Sequence, residues 1–259
     1  ENTQQVVHEI AAYKPSFMSV TYGAGGSNSK NTLSIAEEVQ KSGVTALAHL
    51  TCVGQDEENL RASINAFKAS GIENILALRG DIPEGDTAPQ TFPHASDLIN
   101  AIRREGADFC IGGACYPEGH PESYNSDADI DGVRRKVESG CEFLTTQMFF
   151  DNNIMYNFLY RIREKGITVP VIAGIMPVTN VNQIKRITSM SGTYLPERFK
   201  AIVDRFGDNP AAMKQAGVIY ATEQIIDLIA NGVNHIHVYS MNKPEIAAGI
   251  QASLSEILG

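Results

Sequence analysis

The sequence feature that most constrains the fold is a short pattern that occurs six times along the chain. Each copy is a polar stretch ending in glycine, followed at once by a short apolar run. Glycine just after a helix adopts the left-handed backbone conformation at little cost, so each copy predicts a helix end that leads into a strand. The six glycines are Gly43, Gly71, Gly106, Gly140, Gly166 and Gly232.

The apolar runs predict seven short strands, and the segments between them predict amphipathic helices. Residues 56–70 place Leu60, Ile64 and Phe67 on one face after an acidic first turn, as in an amphipathic helix with a favourable dipole. The strands are continuously apolar, which is typical of a parallel sheet buried on both faces. The predicted strands are 16–22, 45–52, 74–79, 109–116, 143–149, 170–176 and 235–240. The predicted helices are 3–12, 29–42, 56–70, 94–105, 127–139, 152–165, 181–190 and 209–231.

This alternation predicts an α/β fold, specifically a (β/α)8 TIM barrel formed by residues 1–259 as a single domain. Doubly wound sheets usually stop at five or six strands, whereas a barrel of typical size has about 250 residues. A barrel of seven strands would leave two unpaired edges. We therefore expect the first strand of the barrel to lie N-terminal to Glu1, outside this sequence.

Charge and hydropathy exclude two classes of partner. The formal net charge of −9 argues against nucleic acid, because phosphate binding needs a basic face. No apolar run approaches the roughly 20 residues that span a bilayer, so we expect no membrane segment. These features favour a cytoplasmic protein.

The four cysteines are scattered and form no C-x-x-C pair, which is typical of buried thiols in a reducing cytosol. They are Cys52, Cys110, Cys115 and Cys141. A zinc site built from His49, Cys52, Cys115 and His120 would not have the spacing of a structural zinc motif. We therefore expect no metal.

Polar and titratable residues follow nearly every predicted strand. In (β/α)8 barrels the chemistry lies at the carboxyl ends of the strands, although any single residue there can be an ordinary loop residue. The basic cluster at 134–136 has two interpretations, a solvated helix face or a clamp for phosphates of a bound cofactor. The strand-end residues are Thr21, Tyr22, His49, Thr51, Arg79, Asp81, Tyr116, Glu118, His120, Gln147, Asp151, Pro177, Asn180, Tyr239 and Asn242.

Taken together, these strand-end segments resemble the methylenetetrahydrofolate reductase family. The resemblance lies in SVTYGAGGS (19–27), AHLTC (48–52), LALRGD (76–81), YPEGHPE (116–122), LTTQMFFD (144–151), GIMPVTN (174–180) and HVYSMNKPE (237–245). The segments occur in order over nearly the whole chain. Each is weak alone, but the set is specific.

The resemblance implies an FAD-dependent oxidoreductase of one-carbon metabolism and methionine biosynthesis. Such an enzyme reduces 5,10-methylenetetrahydrofolate to 5-methyltetrahydrofolate with NADH or NADPH, by a ping-pong route through the flavin. The resemblance also implies a homo-oligomer, and it leaves open an electron-transfer or accessory subunit. The Arg79-Gly80-Asp81 tripeptide is not interpreted as an adhesion motif, because a cytosolic strand end is a poor place to display one.

The resemblance also assigns roles to individual residues. Asp81 and Gln147 are implied as catalytic, and Asp81 would stabilise the cationic iminium formed when the methylene bridge opens. The implied FAD contacts are Thr21, Tyr22, Ala24, His49, Arg79, Gly80, Asp81, Tyr116 and His120. Those implied for the phosphate and adenosine portion of FAD are Asp129, Arg135 and Lys136. The implied folate contacts are Asp81, Gln147, Gln183 and Lys243.

One part of the family pattern is absent from the sequence. The family's first strand carries a glutamate that resembles a general acid for opening the folate ring, and no such stretch occurs here. This absence leaves two alternatives to the reductase. One is a non-catalytic flavin- or folate-binding barrel that acts with a partner protein, and the other is a barrel lyase or methyltransferase acting on a pterin without flavin.

Overall fold

The computed structural model describes residues 3–21, 29–82, 91–106 and 108–258. Within these ranges the chain forms seven strands and eleven helices that alternate for most of its length. The strands are β1 (Phe17–Val20), β2 (Thr45–Thr51), β3 (Asn74–Leu78), β4 (Cys110–Cys115), β5 (Phe143–Thr146), β6 (Val171–Ile175) and β7 (Ile236–Val238). The helices are α1 (Thr3–Ala11), α2 (Ser29–Lys41), α3 (Glu57–Ala69), α4 (Ala95–Arg104), α5 (Ser126–Glu138), α6 (Asn152–Glu164), α7 (Val181–Ser191), α8 (Glu197–Phe206), α9 (Pro210–Ala230), α10 (Pro244–Ser253) and α11 (Ser255–Leu258).

The glycine pattern ends helices as predicted. The six glycines named above all have positive φ, between 63° at Gly106 and 106° at Gly140. Helix α3 shows the whole unit: the Asp56 side chain accepts a hydrogen bond from the Asn59 N–H, and the helix buries Leu60, Ile64 and Phe67. Its capped start and glycine turn are both local features, which is why the sequence alone predicts them.

The chain divides into two compact units. Unit 1 comprises residues 1–114 and 132–144, and unit 2 comprises residues 115–131 and 145–259. Each unit is described by itself below. The prediction of a single domain over 1–259 stays a prediction.

Unit 1 contains a parallel sheet with strands in chain order. Val20 of β1 pairs with Ala48 of β2, Thr51 of β2 pairs with Leu78 of β3, and Ala77 of β3 pairs with Gly113 of β4. The Glu142 N–H donates to the Ile111 carbonyl, which brings the start of β5 beside β4. These pairings align the carboxyl ends of β1, β2 and β3 along one edge of the sheet.

Unit 2 continues the same topology with β6 and β7. Gly174 of β6 pairs in parallel with His237 of β7, and the Gly174 N–H donates to the Thr146 hydroxyl of β5 at 2.8 Å. The core of this unit contains an aromatic stack between Phe150 and Phe199, whose ring centroids lie 4.9 Å apart. This core supports α8 and α9 against the end of β5.

The predicted fold class is confirmed. The seven strands are parallel neighbours in chain order, and helices separate them, which is the topology of a (β/α)8 barrel whose first strand is not among the described residues. Helices α8, α10 and α11 are not among the helices predicted from the sequence. No helix in the described part of the chain is long and apolar enough to cross a membrane.

Candidate active site

The carboxyl ends of β1 and β2 hold a serine and a histidine together. Ser19 Oγ lies 2.5 Å from His49 Nε2, joining side chains of adjacent strands. Thr21, which follows β1, is exposed, and its carbonyl accepts a hydrogen bond from the Thr32 hydroxyl at 3.1 Å. The sequence pointed to His49 and Thr21 but missed Ser19, although Ser19 lies within the quoted segment 19–27.

The Arg79-Gly80-Asp81 stretch leaves the end of β3 in a specific conformation. Gly80 has φ +86°, and a Cβ added there would lie 3.1 Å from Thr51 Cβ and 3.3 Å from Val53 Cγ2. Arg79 is half-buried and Asp81 is exposed. Glycine is therefore favoured at 80 by its own backbone and by the close approach of Thr51 and Val53, and the Asp81 side chain that follows is exposed.

The thiol nearest this stretch is inert. Cys52 is fully buried at the end of β2, and burial raises the pKa of its thiol to about 12, with a smaller opposing effect from the Arg79 charge. A thiol with this pKa stays protonated at neutral pH and is a poor nucleophile.

The three basic residues 134–136 of α5 lie in different surroundings. Arg134 is exposed and lies 3.9 Å from Glu138, as on a solvated helix face. Lys136 is half-buried, and its Nζ donates to the Ala114 carbonyl at 2.5 Å. Arg135 is exposed. A contact of Arg135 or Lys136 with an anionic ligand stays a prediction.

In unit 2 the segment after β4 forms a compact turn. The Tyr116 and His120 rings meet edge to face with centroids 4.6 Å apart, and His120 Nδ1 accepts from the Glu122 N–H at 3.1 Å. The Glu118 carboxylate accepts from the Tyr194 N–H at 2.8 Å, and burial raises the pKa of Glu118. The turn therefore fixes the two rings that the resemblance assigns to FAD.

Two further predicted residues have defined partners. Asp129 is buried in α5, where its Oδ1 accepts from the Ser123 hydroxyl at 3.1 Å. Gln147 is half-buried after β5, and its Oε1 accepts from the Met148 N–H at 3.1 Å. An amide held by its oxygen in this way keeps its nitrogen donors available.

Gln183 and Lys243 are brought together by a residue that the sequence did not single out. The Gln183 Oε1 accepts from the Thr179 N–H at 2.7 Å, and the Lys243 Nζ donates to the Thr179 hydroxyl at 3.4 Å. Thr179 lies in the quoted segment 174–180, which was the only signal for it.

Some polar residues at strand ends serve the fold instead. Asp151 and Asn180 are the N-caps of α6 and α7. The Tyr239 hydroxyl donates to the Thr146 carbonyl at 2.8 Å, and burial raises the pKa of Tyr239. For these residues the ordinary loop or packing role is sufficient.

Two predicted flavin contacts, Tyr22 and Ala24, lie outside the described residues. Within the described ranges, no group of three or more His, Cys, Asp or Glu residues is arranged to hold a metal ion. All four cysteines lie in these ranges, and none of them forms a disulfide.

Comparison with known proteins identifies the family. A family profile described as methylenetetrahydrofolate reductase matches residues 1–255. The chain belongs to the methylenetetrahydrofolate reductase family. It is 35% identical to 5,10-methylenetetrahydrofolate reductase of Escherichia coli K12, over 94% of this chain and 82% of that protein.

Other members of the methylenetetrahydrofolate reductase family are longer than this chain. It is 35% identical to methylenetetrahydrofolate reductase (NADH) 1 of Zea mays, over 99% of this chain and 46% of that protein. The chain therefore spans about half the length of its plant relatives. Its fold is similar to that of an uncharacterised Clostridium thermocellum protein, with a TM-score of 0.69 and 14% sequence identity. The match covers 98% of this chain and 87% of that protein, which is described as binding two copies of 5-methyl-5,6,7,8-tetrahydrofolic acid.

Proposed function

We propose that the chain is an FAD-dependent methylenetetrahydrofolate reductase, which converts 5,10-methylenetetrahydrofolate to 5-methyltetrahydrofolate with NADH or NADPH. The observation that carries the proposal is the end of β3, where a left-handed Gly80 is followed by an exposed Asp81. Family membership over residues 1–255 supports it, as do the names of the E. coli and maize relatives.

The residues of unit 1 fit an anionic flavin cofactor. Arg79, Arg135 and Lys136 supply positive charge, which a diphosphate needs in a protein with net charge −9. His49 and Thr21 offer polar groups at the neighbouring strand ends. Tyr116, His120 and Asp129 of unit 2 are proposed as flavin contacts from the family resemblance alone. When bound, FAD would supply the capacity to accept and donate a hydride.

Asp81 carries the electrostatic part of the proposal. Opening of the methylene bridge converts the folate into a cationic iminium, and a fixed carboxylate stabilises charge that develops during the reaction. Asp81 directly follows Gly80, whose left-handed conformation sets the direction in which the chain leaves β3.

Gln147, Gln183 and Lys243 are proposed to hold the folate. Gln147 is the second proposed catalytic residue, since its amide nitrogen can donate to a ring atom that gains electron density. Lys243 offers a cation and Gln183 an amide, which suit the carboxylate and carbonyl groups of a folate.

A flavin spectrum tests the proposed function. In purified protein loaded with FAD, NADH or NADPH should remove the absorbance of the oxidised flavin. Addition of 5,10-methylenetetrahydrofolate should restore that absorbance. Bleaching without recovery by the folate would favour the non-catalytic binding barrel. A protein that does not bind FAD at all would favour the lyase or methyltransferase alternative.

The remaining parts of the proposal concern organisation. The single barrel domain over 1–259, a homo-oligomeric state and an accessory electron-transfer subunit all stay predictions. Sedimentation of the purified chain, alone and in cell extract, distinguishes a homo-oligomer from a complex with another protein. The cytoplasmic location also stays a prediction.

A further inference from the structure

Thr179 occupies a fixed place between β6 and α7. Its side chain is 6% exposed, and two of its groups face one atom, Gln183 Oε1. The Thr179 N–H donates to this oxygen at 2.7 Å, and the Thr179 hydroxyl donates to it at 3.2 Å. The Gln183 N–H in turn donates to Asn180 Oδ1 at 3.0 Å, so both the backbone and the side chain of Gln183 are held.

This arrangement fixes the orientation of the Gln183 amide. A backbone N–H can only donate, so the amide atom that faces Thr179 must be the oxygen. The amide nitrogen then lies on the other side of the group with two N–H donors. A ligand that contacts this side of Gln183 must therefore offer a hydrogen-bond acceptor, such as a carbonyl oxygen or a ring nitrogen.

The Thr179 hydroxyl also links Gln183 to Lys243. It accepts from Lys243 Nζ at 3.4 Å while it gives its own hydrogen to Gln183. The hydrogen bonds thus run in one direction, from ammonium to hydroxyl to amide oxygen, and such chains polarise one another. Met241 and Asn242, with φ of 53° and 56°, form the turn that leads to Lys243.

We propose that Thr179 is a positioning residue for the folate, which orients the Gln183 amide as a donor and holds the Lys243 ammonium beside it. The inference rests on the proposed function, because it assumes that Gln183 and Lys243 contact the folate. Beyond the proposed function, the inference adds Thr179 to the folate site and gives the direction of the hydrogen bonds. Gln183 donates to an acceptor atom of the folate, and Lys243 donates to an acceptor or an anionic group.

The first test replaces the hydroxyl. Thr179→Val keeps the shape and the backbone N–H but removes the hydroxyl, so the Kd for 5-methyltetrahydrofolate should rise about tenfold, the value of one lost hydrogen bond of ordinary strength. Thr179→Ser retains the hydroxyl and should bind within about twofold of wild type. In turnover, the Val variant should show a raised KM for the folate with little change in kcat.

Thr222→Val is the matched control. Thr222 is as buried as Thr179, at 7% exposed, and its hydroxyl donates to the Val218 carbonyl within α9. This control should bind 5-methyltetrahydrofolate and FAD like wild type. FAD affinity, measured by fluorescence quenching, should also be unchanged in Thr179→Val. A general structural defect would instead weaken the binding of both FAD and the folate.

The second test examines the polarity and does not depend on the folding of the Thr179 variant. Gln183 is half-exposed, and Gln183→Glu keeps an oxygen for Thr179 but turns the opposite side from donor to acceptor. Gln183→Glu should therefore bind 5-methyltetrahydrofolate no better than Gln183→Ala. Wild-type affinity in Gln183→Glu would overturn the proposed polarity.

The outcomes separate the inference from the proposed function. A wild-type protein that neither binds 5-methyltetrahydrofolate nor reoxidises with 5,10-methylenetetrahydrofolate would overturn both. A wild-type protein that does both, with unchanged folate affinity in Thr179→Val, would overturn the inference alone. Equal losses in the Val and Ser variants would also overturn it, because the hydroxyl would then not be the group that matters.

Discussion

The Ser19 hydroxyl and the His49 imidazole lie 2.5 Å apart, from Oγ to Nε2, and join the ends of two neighbouring strands. A hydrogen bond at one ring nitrogen fixes the orientation of a histidine and therefore the direction of its other nitrogen. His49 is one of the proposed FAD contacts, so this half-buried hydrogen bond orients a residue of the proposed cofactor site.

We expect Ser19→Ala to weaken FAD binding about fivefold, because without the Ser19 hydrogen bond the His49 ring is less ordered before the cofactor binds. The Kd for FAD, measured by fluorescence titration of the apoprotein, checks this. Ser42→Ala is the control, since the Ser42 hydroxyl also makes a short hydrogen bond, but it donates to the Val39 carbonyl at 2.6 Å. Equal FAD affinity in wild type and Ser19→Ala would remove the assigned role.

We expect Asp81→Asn to bind FAD but to reduce the folate at least about tenfold more slowly, because the amide carries no charge to stabilise the iminium. Oxidation of the nicotinamide should fall much less. Stopped-flow measurement of the two half-reactions separates these effects. Asp56→Asn, which removes one exposed charge and keeps a good N-cap on α3, is the control. Equal losses in both half-reactions would contradict the role of Asp81.

We expect Gly80→Ala to destabilise the protein by about 2 kcal/mol, from backbone strain at φ +86° and crowding against Thr51. Gly71→Ala provides the comparison, because Gly71 has φ +66° and nothing within 4 Å of an added Cβ. It should cost only about 1 kcal/mol, from strain alone. Urea unfolding of the two variants measures the difference. If the losses are equal, close packing at Gly80 contributes nothing.

The stability of the protein should fall in mild acid through His237. Burial lowers the pKa of His237 to about 4 from its ordinary value of 6.5. Between these pH values His237 is protonated in the unfolded chain but neutral in the folded chain. The stabilisation of the folded state by neutral His237 is therefore present above pH 6.5 and is lost as the pH falls towards 4.

His237→Gln removes this proton linkage. Between pH 7.5 and 5, wild type should lose up to about 2 kcal/mol of unfolding free energy that His237→Gln does not lose. Urea unfolding at the two pH values measures this loss in each protein. If the unfolding free energy of the two proteins falls equally between the two pH values, the pKa of His237 is not lowered in the folded protein.

Local features of the fold could be predicted from the sequence, because their causes lie within a few residues. The six glycine turns and the Asp56 cap of α3 depend only on adjacent backbone geometry. The strands were predicted slightly too long: Arg79 was placed in β3, which ends at Leu78. Helix α8 was missed although Phe199, Ile202 and Phe206 recur at helical spacing, so the signal for it was present in the sequence.

The residues of the candidate site were predicted from the family segments, but the residues that orient them, Ser19 and Thr179, were not predicted. Ser19 acts on a histidine 30 residues away, and Thr179 lies 64 residues from Lys243. Serine and threonine at strand ends are common, and only the folded chain shows which of them faces a proposed ligand contact. The sequence also gave Asp151, Asn180 and Tyr239 the same weight as site residues, although caps and packing account for them.

The glycine turns have a consequence for how mutational data on this chain should be interpreted. A side chain at any one of the six costs about 1 kcal/mol of backbone strain. The stability margin of a typical domain is about 5–15 kcal/mol, so one such substitution lowers the amount of folded protein without abolishing it. In a deep mutational scan these positions would therefore show partial depletion, although they lie at the amino ends of the strands, away from the candidate site. Depletion of variants there would report on abundance of the folded protein and not on turnover.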